Sequence, residues 1–360
     1  MFSKLFCPAL VLRSGMTVRA GILGATGAVG QRLIQLLDPH PEFEIVSLTA
    51  SEQSAGNPYR DVAKWRIDTP IPDYVAEMTV TETNPESVSD DVELLFSSLP
   101  SRIGEQVEGK FCEAGYIVSS NSSNDRTADD VPLTIPEVNG DHLGLLEVQR
   151  DNRKWDGALV KNPNCSTITA VPPLAALDGE FGLERVTVAT LQAVSGAGYS
   201  GVTSMEIIDN AIPHIGGEAE KIETESRKLL GMFDGAEVNW HGMQVNASCN
   251  RIPTLDGHLE NIWADTVESI DAERAAQALR EYPSAPLASS PEQFIHVFDD
   301  PYRPQPRLDR NREQGMGVDV GGLRETEDGI QFNCLAHNTM RGAAGASVLN
   351  GELLLEKGYL

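Results

Sequence analysis

The chain has 360 residues, 53 of them acidic and 28 basic, for a formal charge of −25 at pH 7. That length suits two domains, and a hydrophobic content of 41% supports packed cores and excludes a disordered acidic chain. The acidic balance excludes a nucleic-acid partner, whose phosphates need a basic surface, and no apolar run is long enough to span a bilayer.

The opening stretch, Met1 to Leu12, has a basic start and an apolar run but no small-residue cleavage site. Met16 directly precedes the first strand, so residues 1–15 are expected to be a non-native or disordered extension of a cytoplasmic protein. Val18–Leu23 reads as a buried strand, Gly24-Ala25-Thr26-Gly27-Ala28-Val29-Gly30 as a turn, and Gln31–Leu37 as a helix with apolar residues at three- and four-residue spacing. Pro39 and Pro41 end that helix, and Phe43–Ala50 is a second strand, completing a βαβ unit. Further strands are predicted at Val92–Ser98 and Gly115–Ser119. Between residues 140 and 160 the pattern turns polar, a candidate boundary. Beyond it Arg185–Val194, Val245–Ile252, Ile262–Val267 and Ile330–Ala336 read as strands, Ala272–Leu279 and Arg341–Lys357 as helices. The predicted class is α/β: a Rossmann-type doubly wound parallel sheet over residues 16–160, an α+β catalytic and dimerisation domain with a mixed or antiparallel sheet over 161–336, and a C-terminal helix over 337–360.

Gly24, Gly27 and Gly30 follow a strand and open a helix, as a dinucleotide-binding turn requires: they allow the sharp bend, close approach of a pyrophosphate and tight helix packing. A structural strand–helix turn is the bland alternative. Glu52 lies about where an NAD enzyme places an acid on the ribose 2′-hydroxyl, whereas Ser51, Ser54 and Gly56 could instead wrap a 2′-phosphate. Cys165 lies in Asn162-Pro163-Asn164-Cys165-Ser166-Thr167, just ahead of the apolar run from Ile168. A cysteine in the first turn of a helix meets the positive end of the helix dipole and free N–H groups, which favour the nucleophilic thiolate. A buried cysteine acting as a small hydrophobe is the alternative, set against the polar flanks of Cys165. With a dinucleotide site, such a cysteine points to aldehyde oxidation through a thioester. The five cysteines are odd in number, widely spaced and without a CxxC, and the seven histidines are dispersed, so neither a disulfide framework nor a metal site is expected. Basic residues divide into 20 Arg and 8 Lys, and the acids are spread along the chain. That pattern fits either a halophilic protein adapted to concentrated salt or an ordinary acidic enzyme.

Six motifs together resemble the aspartate-semialdehyde dehydrogenase family, in its archaeal and fungal branch. They are the Gly24–Gly30 and Asn162–Thr167 segments, Gln192-Ala-Val-Ser-Gly-Ala-Gly198, Ile215-Gly-Gly-Glu-Ala-Glu-Lys221, Arg251-Ile-Pro-Thr-Leu-Asp-Gly-His258 and Asn338-Thr-Met-Arg-Gly-Ala-Ala-Gly345. The resemblance implies reversible reductive dephosphorylation of aspartyl phosphate to aspartate semialdehyde in amino-acid biosynthesis, by a homodimer or homotetramer. It implies that Cys165 is the nucleophile and that His258 is the acid/base, titrating near neutrality. It assigns Arg251 to the substrate carboxylate, Glu218 to its ammonium group, Arg126 and Lys221 to phosphate, and Gln192 and Asn164 to the substrate site. Gly24, Thr26, Gly27, Ala28, Val29, Gly30, Ser51, Ser54, Gly56 and Asn338 are assigned to the cofactor, with Asn338 on the nicotinamide amide, which implies that the C-terminal helix 337–360 returns to the cofactor domain. Relatives often carry Arg where Gln53 stands and Lys where Asn57 stands, near the 2′-phosphate. The serines and Gly56 remain, so NADP is expected ahead of NAD. Malonyl-CoA reductase resembles the same branch, and N-acetyl-glutamyl-phosphate reductase acts on a substrate without a free ammonium group; the Glu218, Lys221, Arg126 and Arg251 set points instead to a small, zwitterionic, phosphorylated substrate. A non-catalytic, cofactor-sensing Rossmann protein would leave Cys165 and His258 without a role.

Overall fold

In the computed structural model, which describes residues 17–360, six parallel strands build the first sheet. They are β1 (Val18–Leu23), β2 (Phe43–Ala50), β3 (Thr81–Glu82), β4 (Leu94–Ser97), β5 (Ile117–Ser120) and β6 (Ala158–Lys161), in the order β3-β2-β1-β4-β5-β6. This is the doubly wound arrangement, whose crevice lies at the carboxyl ends of β1 and β4, where the strand order reverses. Both faces of the sheet are covered, so strands such as β4 are buried along their whole length. One face packs Ile22, Phe96 and Val160 against Leu33, Ile34 and Leu37 of helix Ala28–Leu37 and against Val348, Leu353 and Leu354 of the C-terminal helix Gly345–Glu356. The other packs Leu23, Leu95, Val118 and Leu159 against Phe111 and Cys112 of helix Ser101–Glu113. The stretch 140–160, expected to loosen, instead holds helix Leu145–Arg153 and then β6. Only Leu145, Leu146 and Gln149 of that helix are buried, which explains its polar sequence.

The second half begins with helix Thr167–Phe181, followed by β7 (Leu183–Gln192), the small antiparallel hairpin of β8 (Met232–Phe233) and β9 (Val238–Asn239), β10 (Gln244–Arg251), β11 (His258–Thr266), β12 (Ile295–Val297), β13 (Val318–Glu325) and β14 (Gly329–Ala336). The larger sheet has the order β10-β7-β11-β14-β13-β12 and is mixed: its two outer pairs are parallel and its central pairs antiparallel. Helix Thr167–Phe181 lays Ala170, Leu174, Leu177 and Phe181 on Val186, Val188, Ile262 and Ala264. Alternation along β11 buries His258, Glu260, Ile262 and Ala264 on this face and leaves Trp263 on the other. The final helix starts at Gly345, after a π-helical turn Met340–Ala344, rather than at Arg341. The expectation about residues 1–15 and Met16 lies outside the described residues. Among the described residues no helix is long and apolar enough to cross a membrane, and no cluster of three or more His, Cys, Asp or Glu side chains is placed to hold a metal ion.

Candidate active site

The chain leaves β6 through Asn162-Pro163-Asn164 and turns into helix Thr167–Phe181, which sets Cys165 between the two sheets. Asn164 builds the turn. Its side-chain oxygen accepts from the backbone N–H groups of Ser166 (2.9 Å) and Thr167 (3.4 Å), capping the helix start. Its Nδ2 donates to Glu218 Oε2 at 3.0 Å, and its backbone N–H donates to Glu225 Oε2 at 2.6 Å. On the far side, Gly342 faces the backbone of Cys165: a Cβ there would stand 2.8 Å from Cys165 Cβ, so the turn Met340–Ala344 closes that flank of Cys165.

His258 opens β11 and is fully buried, with Nε2 at 3.2 Å from Cys165 Sγ. Its Nδ1 accepts the backbone N–H of Ala193 at 3.1 Å. In the neutral ring the proton therefore resides on Nε2 and points at sulfur. Burial drives the two groups toward neutrality. It pushes the Cys165 thiol up to about 12, with Glu218 adding to the effect and Arg126 and Arg251 opposing it. It pulls His258 down to about 3, aided by the positive charge of Arg251. Burial therefore favours the thiol of Cys165 and the neutral imidazole of His258, against the thiolate and the near-neutral titration expected from the sequence, because loss of water works against either charge.

The polar lining comes from the ends of neighbouring elements. Gln192 ends β7 and Arg251 ends β10, and the two are paired in register. Arg251 Nη1 donates to the carbonyl of Ala193 at 2.7 Å, and Gln192 Nε2 reaches Glu218 Oε2 at 3.5 Å. Glu218 opens helix Glu218–Leu229 after Gly217, whose φ of +73° makes the turn in. Burial works against its ionisation, but the hydrogen bond and charge of Lys221, with Asn164 and Gln192, hold its carboxyl below the ordinary range; Lys221 Nζ is 2.7 Å from Oε1. Arg126 is buried. Its Nη1 donates to Glu225 at 2.9 Å and its Nη2 to the carbonyl of Asn121 at 2.7 Å, leaving Nε without a protein partner. One connected constellation thus includes Cys165, His258, Asn164, Gln192, Glu218, Lys221, Arg126 and Arg251.

The residues assigned to a cofactor lie at the carboxyl ends of the first strands. Gly24 has φ +81°, and a Cβ on Gly30 would stand 2.4 Å from the carbonyl oxygen of Gly24, so only glycine fits there. No side chain caps helix Ala28–Leu37, which leaves the first N–H groups beside Thr26, Gly27, Ala28 and Val29 for an anion. Ser51, Ser54 and Gly56 form the turn after β2; Ser54 N–H closes on Ser51 at 2.8 Å, and Gly56 takes φ +82°. These features fit a dinucleotide phosphate. Asn338 is buried between the halves, accepting from Gly257 N–H at 2.8 Å and donating to Ser195 Oγ at 2.8 Å.

Sequence reasoning missed three buried groups. Glu225 lies seven residues after Glu218 and four after Lys221, a spacing that places all three on one helix face. Glu260 follows His258 at strand alternation and is fully buried; burial raises its carboxyl well above the ordinary range, with Ser166 opposing and Glu218 adding to the rise. Lys161, at the end of β6, makes a buried pair with Glu108 at 2.5 Å, joined by Ser120 and Ser122.

Residues 19–146 match the family model "Semialdehyde dehydrogenase, NAD binding domain", and residues 174–341 match "Semialdehyde dehydrogenase, dimerisation domain". The aspartate-semialdehyde dehydrogenase of Methanothermobacter thermautotrophicus is 49% identical over 346 residues, covering 94% of this chain and 99% of that protein. That of Archaeoglobus fulgidus is 47% identical over 343 residues, covering 95% and 99%. Among solved structures, the aspartate semialdehyde dehydrogenase of Candida albicans with NADP superposes with a TM-score of 0.88 at 40% identity, covering 96% of this chain and all of that one. The Vibrio cholerae aspartate semialdehyde dehydrogenase II complexed with ASA gives a TM-score of 0.76 at 27% identity, with coverage of 96% and 100%. From its glycine turn to its C-terminal helix, then, the chain belongs to the aspartate-semialdehyde dehydrogenase family of oxidoreductases.

Proposed function

We propose that this chain catalyses the reversible reductive dephosphorylation of 4-phospho-L-aspartate to L-aspartate 4-semialdehyde through a thioester on Cys165, with NADPH as reductant. The observation that carries the reading is the 3.2 Å approach of Cys165 Sγ to His258 Nε2, ringed by Glu218, Arg251, Arg126 and Lys221. Arg251 offers a guanidinium to the substrate carboxylate and Glu218 an anion to its ammonium group. Arg126, with an unpartnered Nε, and Lys221 hold the phosphate. In the biosynthetic direction, sulfur bonds to the acyl carbon while the carbon–oxygen bond to phosphate breaks, and the departing phosphate carries the thiol proton away toward Arg126. NADPH, when bound, would be held by the Gly24–Gly30 turn and the Ser51–Gly56 turn and would supply the hydride. His258 Nε2–H hydrogen-bonds to the developing oxygen anion; the carbon–sulfur bond then breaks, releasing aldehyde and a thiolate that takes up one proton from solvent to restore the thiol. A thioester stays activated enough to exchange with phosphate, whereas an oxygen ester would trap the acyl group.

The NADP-bound fungal neighbour supports NADP over NAD. The match to a dimerisation domain supports a homodimer or homotetramer. A reactive thiol and a reduced nicotinamide fit the cytoplasm, and the product fits entry to lysine, threonine and methionine biosynthesis. The test is NADPH oxidation with aspartyl phosphate against malonyl-CoA, in wild type and Cys165→Ser. Aspartyl phosphate should be the substrate, and Cys165→Ser should lose turnover while keeping NADPH affinity. Preference for malonyl-CoA would move the assignment to malonyl-CoA reductase, and an unreactive Cys165 thiol with no turnover would favour a cofactor-sensing protein.

A further inference from the structure

Helix Glu218–Leu229 carries more into the site than Glu218 and Lys221. Glu218, Lys221, Glu225 and Lys228 recur at three- and four-residue spacing and share one face. Glu225 is 2% exposed and divides its carboxylate between two partners: Oε1 accepts from Arg126 Nη1 at 2.9 Å, and Oε2 accepts from the backbone N–H of Asn164 at 2.6 Å. One side chain thus ties the guanidinium to the residue adjoining Cys165. Three residues further on, Lys228 is fully buried and donates to the carbonyls of Arg126 (2.9 Å), Ala128 (2.6 Å) and Val131 (2.7 Å). The segment bearing Arg126 is therefore gripped twice from one helix.

A carboxylate beside an anion site works against the anion. If charge alone governed this position, Glu225 would only weaken phosphate binding, and its removal would tighten it. The bonding pattern gives the opposite sign. Asn121 and Glu225 occupy hydrogens on both terminal nitrogens of Arg126 and orient the remaining N–H groups, which no protein atom accepts at Nε. Without the carboxylate, a long flexible side chain would have to be ordered by phosphate at the moment of binding, at an entropic cost.

We propose that Glu225 is a positioning residue of the phosphate site, fixing Arg126 relative to Cys165 by holding the guanidinium and the Asn164 amide in one carboxylate. The proposal rests on the reading of Arg126 as a phosphate ligand. The test is a double-mutant cycle in the oxidative direction, measuring kcat and the KM values for phosphate, arsenate and aspartate semialdehyde. Glu225→Ala should raise the KM of both oxyanions about 10- to 100-fold, the range for a lost charge-assisted contact. Its KM for the semialdehyde should stay within about twofold, because Arg251 and Glu218 are untouched. Adding Glu225→Ala to Arg126→Ala should raise the phosphate KM no further. Glu225→Gln, which keeps one acceptor oxygen, should fall between wild type and Glu225→Ala, and it completes the same cycle if the alanine variant does not fold. An unchanged or lower phosphate KM in Glu225→Ala, or an additive rise in the double variant, overturns the proposal. If Arg126→Ala alone leaves the phosphate KM unchanged, the assignment of Arg126 fails first and takes the proposal with it; a raised KM in Arg126→Ala with none in Glu225→Ala sinks only the proposal.

Discussion

Gly342→Ala tests how tightly the nucleophile is seated. The added methyl carbon would stand 2.8 Å from Cys165 Cβ and 3.2 Å from its Cα. Ordinary carbon–carbon contact begins near 3.5 Å, so one side must yield by about 0.7 Å. The glycine's own turn is poorly placed to yield. Arg341, next to it, makes a fully buried two-pronged pair with Glu137 at 2.8 and 2.6 Å; the Gly342 N–H bonds to His337 at 3.0 Å, and the Ala343 carbonyl accepts from Asn162 at 3.3 Å. Cys165 therefore takes most of the shift, away from a 3.2 Å contact with His258. Overpacking of this kind costs about 1–3 kcal/mol, while alanine in a helical turn recovers up to about 1 kcal/mol through the unfolded chain. Stability should fall by no more than about 3 kcal/mol. Turnover should suffer more, because misplacing a reacting atom by about 1 Å costs roughly 100-fold; a 10- to 100-fold loss in kcat is expected. NADPH-linked rates, read beside urea denaturation, separate the two effects. A variant with full kcat would refute the claim that this turn fixes the sulfur.

Three further outcomes follow from the site and the charge. Burial presses Glu260 toward its protonated form, outweighing the opposing pull of Ser166. Above the ordinary value of 4.5 the unfolded chain releases this proton and the folded chain keeps it, so the group costs stability as pH rises. Glu260→Gln should therefore be more stable than wild type at pH 7, with the advantage fading below about pH 4; melting temperatures from pH 4 to 8 that show a constant difference would rule this out. His258→Ala should lower kcat about 10²- to 10⁴-fold with little change in cofactor affinity, and near-wild-type turnover would make His258 structural. The −25 charge should make folding depend on salt; a circular dichroism signal unchanged from molar to millimolar salt would remove salt adaptation from the account.

What was legible in the sequence was what neighbouring residues settle among themselves. An apolar run ending in Gly24 and reopening as a helix after Gly27 is a strand–turn–helix wherever it occurs, and β1 and β2 begin and end where the pattern places them. Cys165, His258 and the polar side chains around them could be named because short motifs with fixed offsets carry them, such as the seven residues from Arg251 to His258. Shorter or more polar elements were lost: β12, β13 and helix Leu145–Arg153 owe their existence to partners far along the chain. Only the tertiary structure decided how strongly Cys165 and His258 are pressed toward neutrality, since a motif fixes which groups meet but burial fixes how much water they lose. The same holds for Glu225, Lys228 and Glu260. On a one-dimensional reading they are an ordinary solvated helix face and a polar residue in a strand; in the fold Glu225 reaches Asn164 and Arg126, Lys228 grips the carbonyls of Arg126, Ala128 and Val131, and Glu260 is fully buried, because desolvation and long-range hydrogen bonds exist only once distant segments have come together.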